Sequence, residues 1–204
     1  MDTKGHWEHV YEIKAPSQVS WYQSNPQLSL QLIQRTGMAK TEPIIDVGGG
    51  TSTLVDDLLA CGFQQITVLD ISATALNIAR QRLGERGSEV VWLEADITRI
   101  TLPYCAYQVW HDRAVFHFLT RAEDRQRYVE AVRRAVRPRG HVIVATFALD
   151  GPFRCSGLDV IRYSPTSLHD EFGPDFELVD STSEAHQTPF GTEQKFIYCY
   201  CRRE

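Results

Sequence analysis

The stretch Ile44–Leu54, IIDVGGGTSTL, sets three consecutive glycines behind a short apolar run that carries Asp46 next to its end. Such a run, followed by a bare turn and the helix-period segment TLVDDLLACG, reads as strand, tight loop and helix. The alternation repeats downstream as QITVLD and SATALNIARQRLG, then EVVWLEAD, then YQVWHD and AEDRQRYVEAVRRAVRPRG, then HVIVATF. Strands joined through helices run parallel, each connection a right-handed crossover. FELVDST and EQKFIYCYC follow as a hairpin-like pair. The expectation is an α/β fold: a doubly wound, mostly parallel seven-stranded sheet with a final antiparallel strand.

Gly62, Gly84 and Gly173 stand where helices should stop, as do Pro138 with Gly140 after the third, and Ser72 and Thr120 read as N-caps. Residues 148–163 read as a long loop. The first 40 residues carry no strand signal and read as helices over the open end of the sheet. The chain is therefore expected to be a single domain over 1–204, with a helical lid over 1–40, a cofactor-binding core over 43–147, and an acceptor-side loop, helix and strand pair over 148–204.

A length of 204 residues suits one domain, and 43% hydrophobic with 23% charged residues is ordinary for a globular chain. The net charge of −5 argues against a nucleic-acid surface. Arg121, Arg125, Arg127, Arg133, Arg134, Arg137 and Arg139 do cluster, but along one helix that also carries Glu123, Asp124 and Glu130, which reads as a solvated face. The start, MDTKGHWEHVYEIKAP, has no apolar signal region, and no later stretch approaches ~18 apolar residues, so no membrane partner is expected. Five cysteines, without C-x-x-C spacing, indicate neither a disulfide framework nor a metal site, and suggest a reduced, cytoplasmic setting. Nothing selects an oligomeric state.

Open α/β sheets bind ligands outside the carboxyl ends of their strands, where strand order reverses. Gly48 and Gly50 leave no Cβ between backbone and ligand, with Gly49 between them, and Thr51 or Ser52 is placed to open the following helix with its N–H groups free. A dinucleotide fingerprint G-x-G-x-x-G read from Gly48 would need glycine at 53, where Thr53 stands, so an NAD-dependent oxidoreductase is disfavoured. The pattern present is D-x-G-x-G-x-S, through Asp46, Gly48, Gly50 and Ser52, and an acid before the first glycine favours a cationic ligand over a phosphate. Asp70, ending QITVLD, lies 70 − 50 = 20 positions past Gly50, where a carboxylate takes both hydroxyls of a ribose. Asp96, in LEADIT, is placed to accept from an adenine amino group. Three strand-end carboxylates beside a bare turn describe a site for an adenosine with a positive charge and no phosphates, which fits S-adenosyl-L-methionine.

From Pro43 to Phe147 the chain resembles the class I, seven-strand S-adenosylmethionine-dependent methyltransferases: IIDVGGGTS as glycine motif, VLDIS as ribose motif, EADI as adenine motif, then VWHDRAVFHFL and RPRGHVIVATF as fourth and fifth strands. It departs from that pattern at Gln108, where an acid is usual, and at RPRG in place of a PGG turn. The resemblance implies a Rossmann-like fold, methyl transfer, and a cofactor site of Trp21, Asp46, Gly48, Gly49, Gly50, Ser52, Asp70, Ile71, Asp96, Ile97 and His111. The N-terminal HWEHVY and VSWYQ, with Trp7, Tyr11, Trp21 and Tyr22, resemble the opening of a subgroup containing protein-lysine enzymes that act on citrate synthase and elongation factors, and suit an aromatic lid or plain helix packing.

Methyl transfer from a sulfonium asks mainly for alignment and exclusion of water, so acceptor residues are weakly marked in sequence. The expected catalytic residues follow the fourth strand: Asp112 at its tip, Arg113 to hold an anionic acceptor or pair with Asp112, and His117, with His111, as bases. Against these stand a capping role for Asp112 and a packed His117. Arg154, Cys155, Arg162, Tyr163 and His186 are further candidates near the ligand end. The expected acceptor is a small molecule, with a protein lysine as alternative and a silent cofactor-binding fold as a third reading.

Overall fold

A computed structural model describes residues 3–204. In chain order its elements are α1 (Thr3–Ile13), α2 (Gln27–Arg35), β1 (Pro43–Val47), α3 (Leu54–Ala60), β2 (Gln65–Asp70), α4 (Ala73–Leu83), β3 (Val90–Glu94), β4 (Tyr107–Arg113), α5 (Ala122–Ala135), β5 (Val136–Phe147), β6 (Arg154–Cys155), β7 (Leu158–Asp159), α6 (Pro165–Phe172), β8 (Phe176–Gln187) and β9 (Glu193–Arg203). The seven-stranded sheet has the order β3-β2-β1-β4-β5-β9-β8. β1 to β5 are parallel, and β9 runs against both β5 and β8, so it alone is reversed. The fold is the doubly wound seven-stranded sheet expected from the sequence.

Two apolar cores form because alternate side chains of buried parallel strands face opposite ways. Leu32, Leu54, Leu58 and Leu76 pack on one face with Ile44 and Val109, so α2, α3 and α4 cover that side. Tyr128, Val132, Leu168 and Phe172 pack on the other with Ile45 and Trp110, so α5 and α6 cover it. The alternation decides the fate of the polar residues too: Asp46 follows Ile44, and His111 and Arg113 follow Val109, while Asp112 follows Trp110 to the opposite face.

Three local expectations are corrected. Thr120 does not cap α5; Arg121 occupies the N-cap position without a side-chain bond. Pro138 and Gly140 do not form a post-helical stop, because α5 ends at Ala135 and VRPRG enters β5, where Arg139 takes a φ of 64° and the register with β4 shifts between Tyr107 and Val109. A proline that needs no ladder hydrogen bond is tolerated in such an irregularity. Residues 148–163 contain the β6–β7 ladder and a bridge from Ala148 to Tyr163. Most of the arginine-rich helix is locally neutralised: Arg125 pairs with Glu171, Arg127 with Asp124, and Arg133 with Glu130 and Asp175, while Arg134 donates to the Leu102 carbonyl. No helix among the described residues is long and apolar enough to cross a membrane.

Candidate active site

Strand order reverses between β1 and β4, and the glycine turn leaves β1 at that point. The Gly48 and Gly49 amides donate to the Leu69 carbonyl at 2.6 and 3.2 Å, which folds the turn back over β2. Gly48 has a φ of +69°, and a Cβ there would lie 1.9 Å from Val115 Cγ2. Gly50 has a φ of +46°, and a Cβ there would meet Asp70 Oδ2 and Tyr11 Oη at 3.0 Å. Both positions need the left-handed conformation and the missing side chain together. Arg82 of α4 donates to the Thr51 and Ser52 carbonyls at 2.8 and 2.6 Å and pairs with Asp56, so the turn is held from outside as well. α3 begins at Leu54, later than Thr51 or Ser52; Ser52 Oγ accepts the Leu54 amide at 3.1 Å.

Two hollows flank this turn. A cavity of about 240 Å³ is lined by Asp70, Ile71, Asp96, Ile97 and Val115 and roofed by aromatics. A smaller space of about 40 Å³ is lined by Asp46, Gly49, Ser52 and His111. Gly48, Tyr11, Trp21 and Arg113 border both. The residues expected at the cofactor are therefore brought together, except that Gly50 lines neither hollow and instead sits against Asp70. The bare turn, the cradle that a Cβ would fill and the carboxylates at three strand ends suit a cationic adenosine such as S-adenosylmethionine.

Burial raises the Asp70 carboxyl to about 7, reinforced by Asp46 and Glu8 and partly offset by the Ser72 and Gly50 amides. Its Oδ1 accepts from Ser72 N at 2.8 Å. Asp96 Oδ1 takes the Thr98 amide and hydroxyl at 2.9 and 2.7 Å, and Oδ2 lies 3.4 Å from Arg99. Ser72 caps α4 as expected, accepting from Ala75 N at 3.1 Å.

The roof comes from the N-terminal residues. Trp7 meets Trp21 and Phe118 edge to face at 5.6 and 5.1 Å, and Tyr11 meets Trp21 at 6.4 Å. Glu8, one helical turn from both Glu12 and Lys4, reaches the first turn of α4, where its carboxylate accepts from Ser72 Oγ, Ala73 N and Thr74 N at 2.9, 2.8 and 3.1 Å. Burial would raise the Glu8 carboxyl, but these hydrogen bonds outweigh it and hold the group below its ordinary value. A carboxylate at a helix N-terminus satisfies free amides and the helix dipole. Glu8→Ala is expected to cost about 1–2 kcal/mol of stability by loss of this cap, and to weaken cofactor binding because Trp7 and Tyr11 lose their anchor. Thermal melting and titration with S-adenosylhomocysteine check both; unchanged affinity would remove α1 from the site.

The expected catalytic residues fare differently. Asp112 is fully buried, and its carboxylate accepts from Val115 N, Phe116 N and Tyr128 Oη at 2.8, 3.1 and 2.6 Å. It caps the turn after β4 and lines neither hollow, because the strand's alternation sends it to the α5 side. Burial raises it to about 6, with the Tyr128 bond opposing. His117 is fully buried against Phe118, Phe147 and Phe196, its Nδ1 accepts from Phe147 N at 3.2 Å, and burial, then Arg113, lower it to about 3, so it packs as a neutral ring. Arg113 borders both hollows but pairs with Glu184 at 3.0 Å and not with Asp112; it also donates to Tyr198 Oη and the Trp21 carbonyl and stacks on Phe196.

His111 lies between Asp46 and Ser29, at 2.7 and 2.9 Å. Cys155 borders the larger cavity, with its thiol pushed up to about 11 by burial, so it is not a thiolate. Arg154 pairs outward with Asp159, Tyr163 is a core residue bonded to Glu171, and His186 bonds the Ser20 carbonyl. Ser29, Glu184 and Tyr198 were not anticipated. They lie 82, 71 and 85 residues from the β4 partners they touch, and no local pattern marks them.

The family described as "Methyltransferase domain" matches residues 44–140. The chain is 24% identical over 119 residues to the mouse eEF1A lysine and N-terminal methyltransferase, a match covering 58% of this chain and 17% of that protein. It is 22% identical over 193 residues to zebrafish EEF1A lysine methyltransferase 2, covering 88% and 77%. The first curated relatives are thus matched over 17%, 19% and 26% of their own lengths. Among solved structures, Burkholderia thailandensis 1,6-didemethyltoxoflavin-N1-methyltransferase, with bound 1,6-didemethyltoxoflavin and S-adenosylhomocysteine, superposes with a TM-score of 0.72 at 16% identity, covering 98% of this chain and 86% of that one. Fold, glycine motif and the family match over residues 44–140 agree, and together they support a class I, seven-strand S-adenosylmethionine-dependent methyltransferase.

Proposed function

We propose that the chain transfers the methyl group of S-adenosylmethionine to a nucleophilic atom of a small-molecule acceptor. The observation that carries the reading is the double hollow at the sheet's switch point, with carboxylates at three strand ends and an aromatic roof pinned by Glu8. In this reading Asp70 takes the ribose hydroxyls, Asp96 the adenine amino group, and Asp46 beside the bare turn the ligand's ammonium. The cofactor supplies an activated methyl carbon with its leaving group already in place.

The chain's own residues bind, orient and exclude water. Trp7, Tyr11, Trp21 and Phe118 close the site, and Arg113, fixed by Glu184, sets its wall. Asp112 and His117 are engaged elsewhere, so the acceptor is one that presents its own lone pair, such as a neutral amine. A roofed site favours a small acceptor, and a superposed neighbour, the 1,6-didemethyltoxoflavin-N1-methyltransferase, holds one bound. A protein lysine is the second reading, supported by the likeness to EEF1A lysine methyltransferase 2 over most of both chains.

Incubation of the chain with methyl-labelled cofactor and cell extract tests this. Label remaining soluble after protein precipitation is expected; label in the precipitate selects the protein reading. No transfer despite tight S-adenosylhomocysteine binding would leave a silent cofactor-binding fold.

A further inference from the structure

On the face of the sheet covered by α2, polar groups from five elements join in one buried line. Asp46 of β1 and His111 of β4 are register partners, and Asp46 Oδ1 lies 2.7 Å from His111 Nδ1. His111 Nε2 lies 2.9 Å from Ser29 Oγ of α2. Ser29 Oγ lies 3.3 Å from Tyr198 Oη of β9, which accepts from Arg113 Nε at 3.0 Å and lies 3.3 Å from Glu184 Oε2 of β8. Glu184 Oε1 then accepts from Gln23 Nε2 at 2.8 Å, beside the N-terminal roof. Asp46, His111, Ser29 and Tyr198 are between 1% and 3% exposed. Polar groups that deep are mostly satisfied, and each of these is satisfied by its neighbours in the line.

We propose that His111, Ser29 and Tyr198 are positioning residues for the cofactor: they hold the Asp46 carboxylate in place and tie it to the Arg113–Glu184 pair that links β4 to β8. The proposal rests on the reading of Asp46 as the ammonium partner. A carboxylate only accepts, so His111 presents its Nδ1 hydrogen to Asp46. That leaves Nε2 to Ser29, and Tyr198 then decides whether Ser29 is held. A packing role alone would let each residue act independently. A line of hydrogen bonds makes them act as a unit.

The test is S-adenosylhomocysteine affinity, by calorimetric titration of the full chain. Asp46→Asn is expected to weaken binding about tenfold or more, and Tyr198→Phe and Ser29→Ala each about three- to tenfold, with cooperative melting retained. The double variant Asp46→Asn/Tyr198→Phe is expected to bind within about twofold of Asp46→Asn alone. Multiplying fold-changes, or unchanged affinity in both Tyr198→Phe and Ser29→Ala, would overturn the proposal. Unchanged affinity in Asp46→Asn would instead overturn the placement of the cofactor. In nitrogen-15 histidine spectra, His111 is expected to carry hydrogen on Nδ1; a spectrum in which Nδ1 is bare removes the line at its first link.

Discussion

Asp70→Ala is expected to lower affinity for S-adenosylhomocysteine by about 1.5–3 kcal/mol, the range for losing hydrogen bonds to a charged group. The carboxylate stands at the tip of β2, only 6% exposed, and is already held by the Ser72 amide, so it is oriented before any ligand arrives. Its protonation adds a second test. Burial lifts the folded carboxyl from an ordinary 3.8 to about 7. The folded chain therefore keeps a proton that the unfolded chain has released, so this group's contribution to stability is complete below about pH 4 and is lost as pH rises through 7. Affinity runs the opposite way, because the ionised form accepts the ribose hydroxyls: binding weakens as pH falls from 8 to 6. Asp70→Asn should flatten both profiles. An affinity that ignores both the substitution and pH would place the ribose elsewhere.

Asp112→Ala is expected to cost about 3–5 kcal/mol of stability, well beyond an ordinary substitution. The Val115 and Phe116 amides and the Tyr128 hydroxyl would all lose their acceptor inside the core, and unsatisfied buried donors each cost on the order of 1–3 kcal/mol. Asp112→Asn keeps one acceptor oxygen and should lose less. Denaturant melts of the two variants, with cofactor affinity measured where the chain remains folded, distinguish this from a role at the acceptor. A stable Asp112→Ala protein that binds cofactor normally yet transfers no methyl would restore the catalytic reading.

The contrast between these two aspartates marks how far the primary structure reaches. Strands, helices and their parallel order were legible because apolar runs and helical periods are local signals, and the glycine turn was legible because only a bare backbone can follow that path. Asp70 was legible too: its place at a strand end, a fixed distance past the glycines, follows from βαβ geometry. Where Asp112 and His117 would face was not legible: adjacent strand residues point to opposite sides of the sheet, nothing local to HDRAVFHF says which parity faces the hollows, and His117 falls in the turn after β4, where burial against Phe118, Phe147 and Phe196 is a tertiary matter.

The breaks in pattern had the same origin. VRPRG reads locally as a stop, yet pairing with β4 draws it into β5. The chain's sequence by itself determined the doubly wound sheet and the carboxylates at its strand ends. Only tertiary structure decided that Glu8 pins the roof, that Arg113 pairs with Glu184, and that Ser29 and Tyr198 stand behind His111. Those contacts join residues 64 to 169 positions apart, and they exist because the packing of strands and helices, not the chain's order, makes them neighbours.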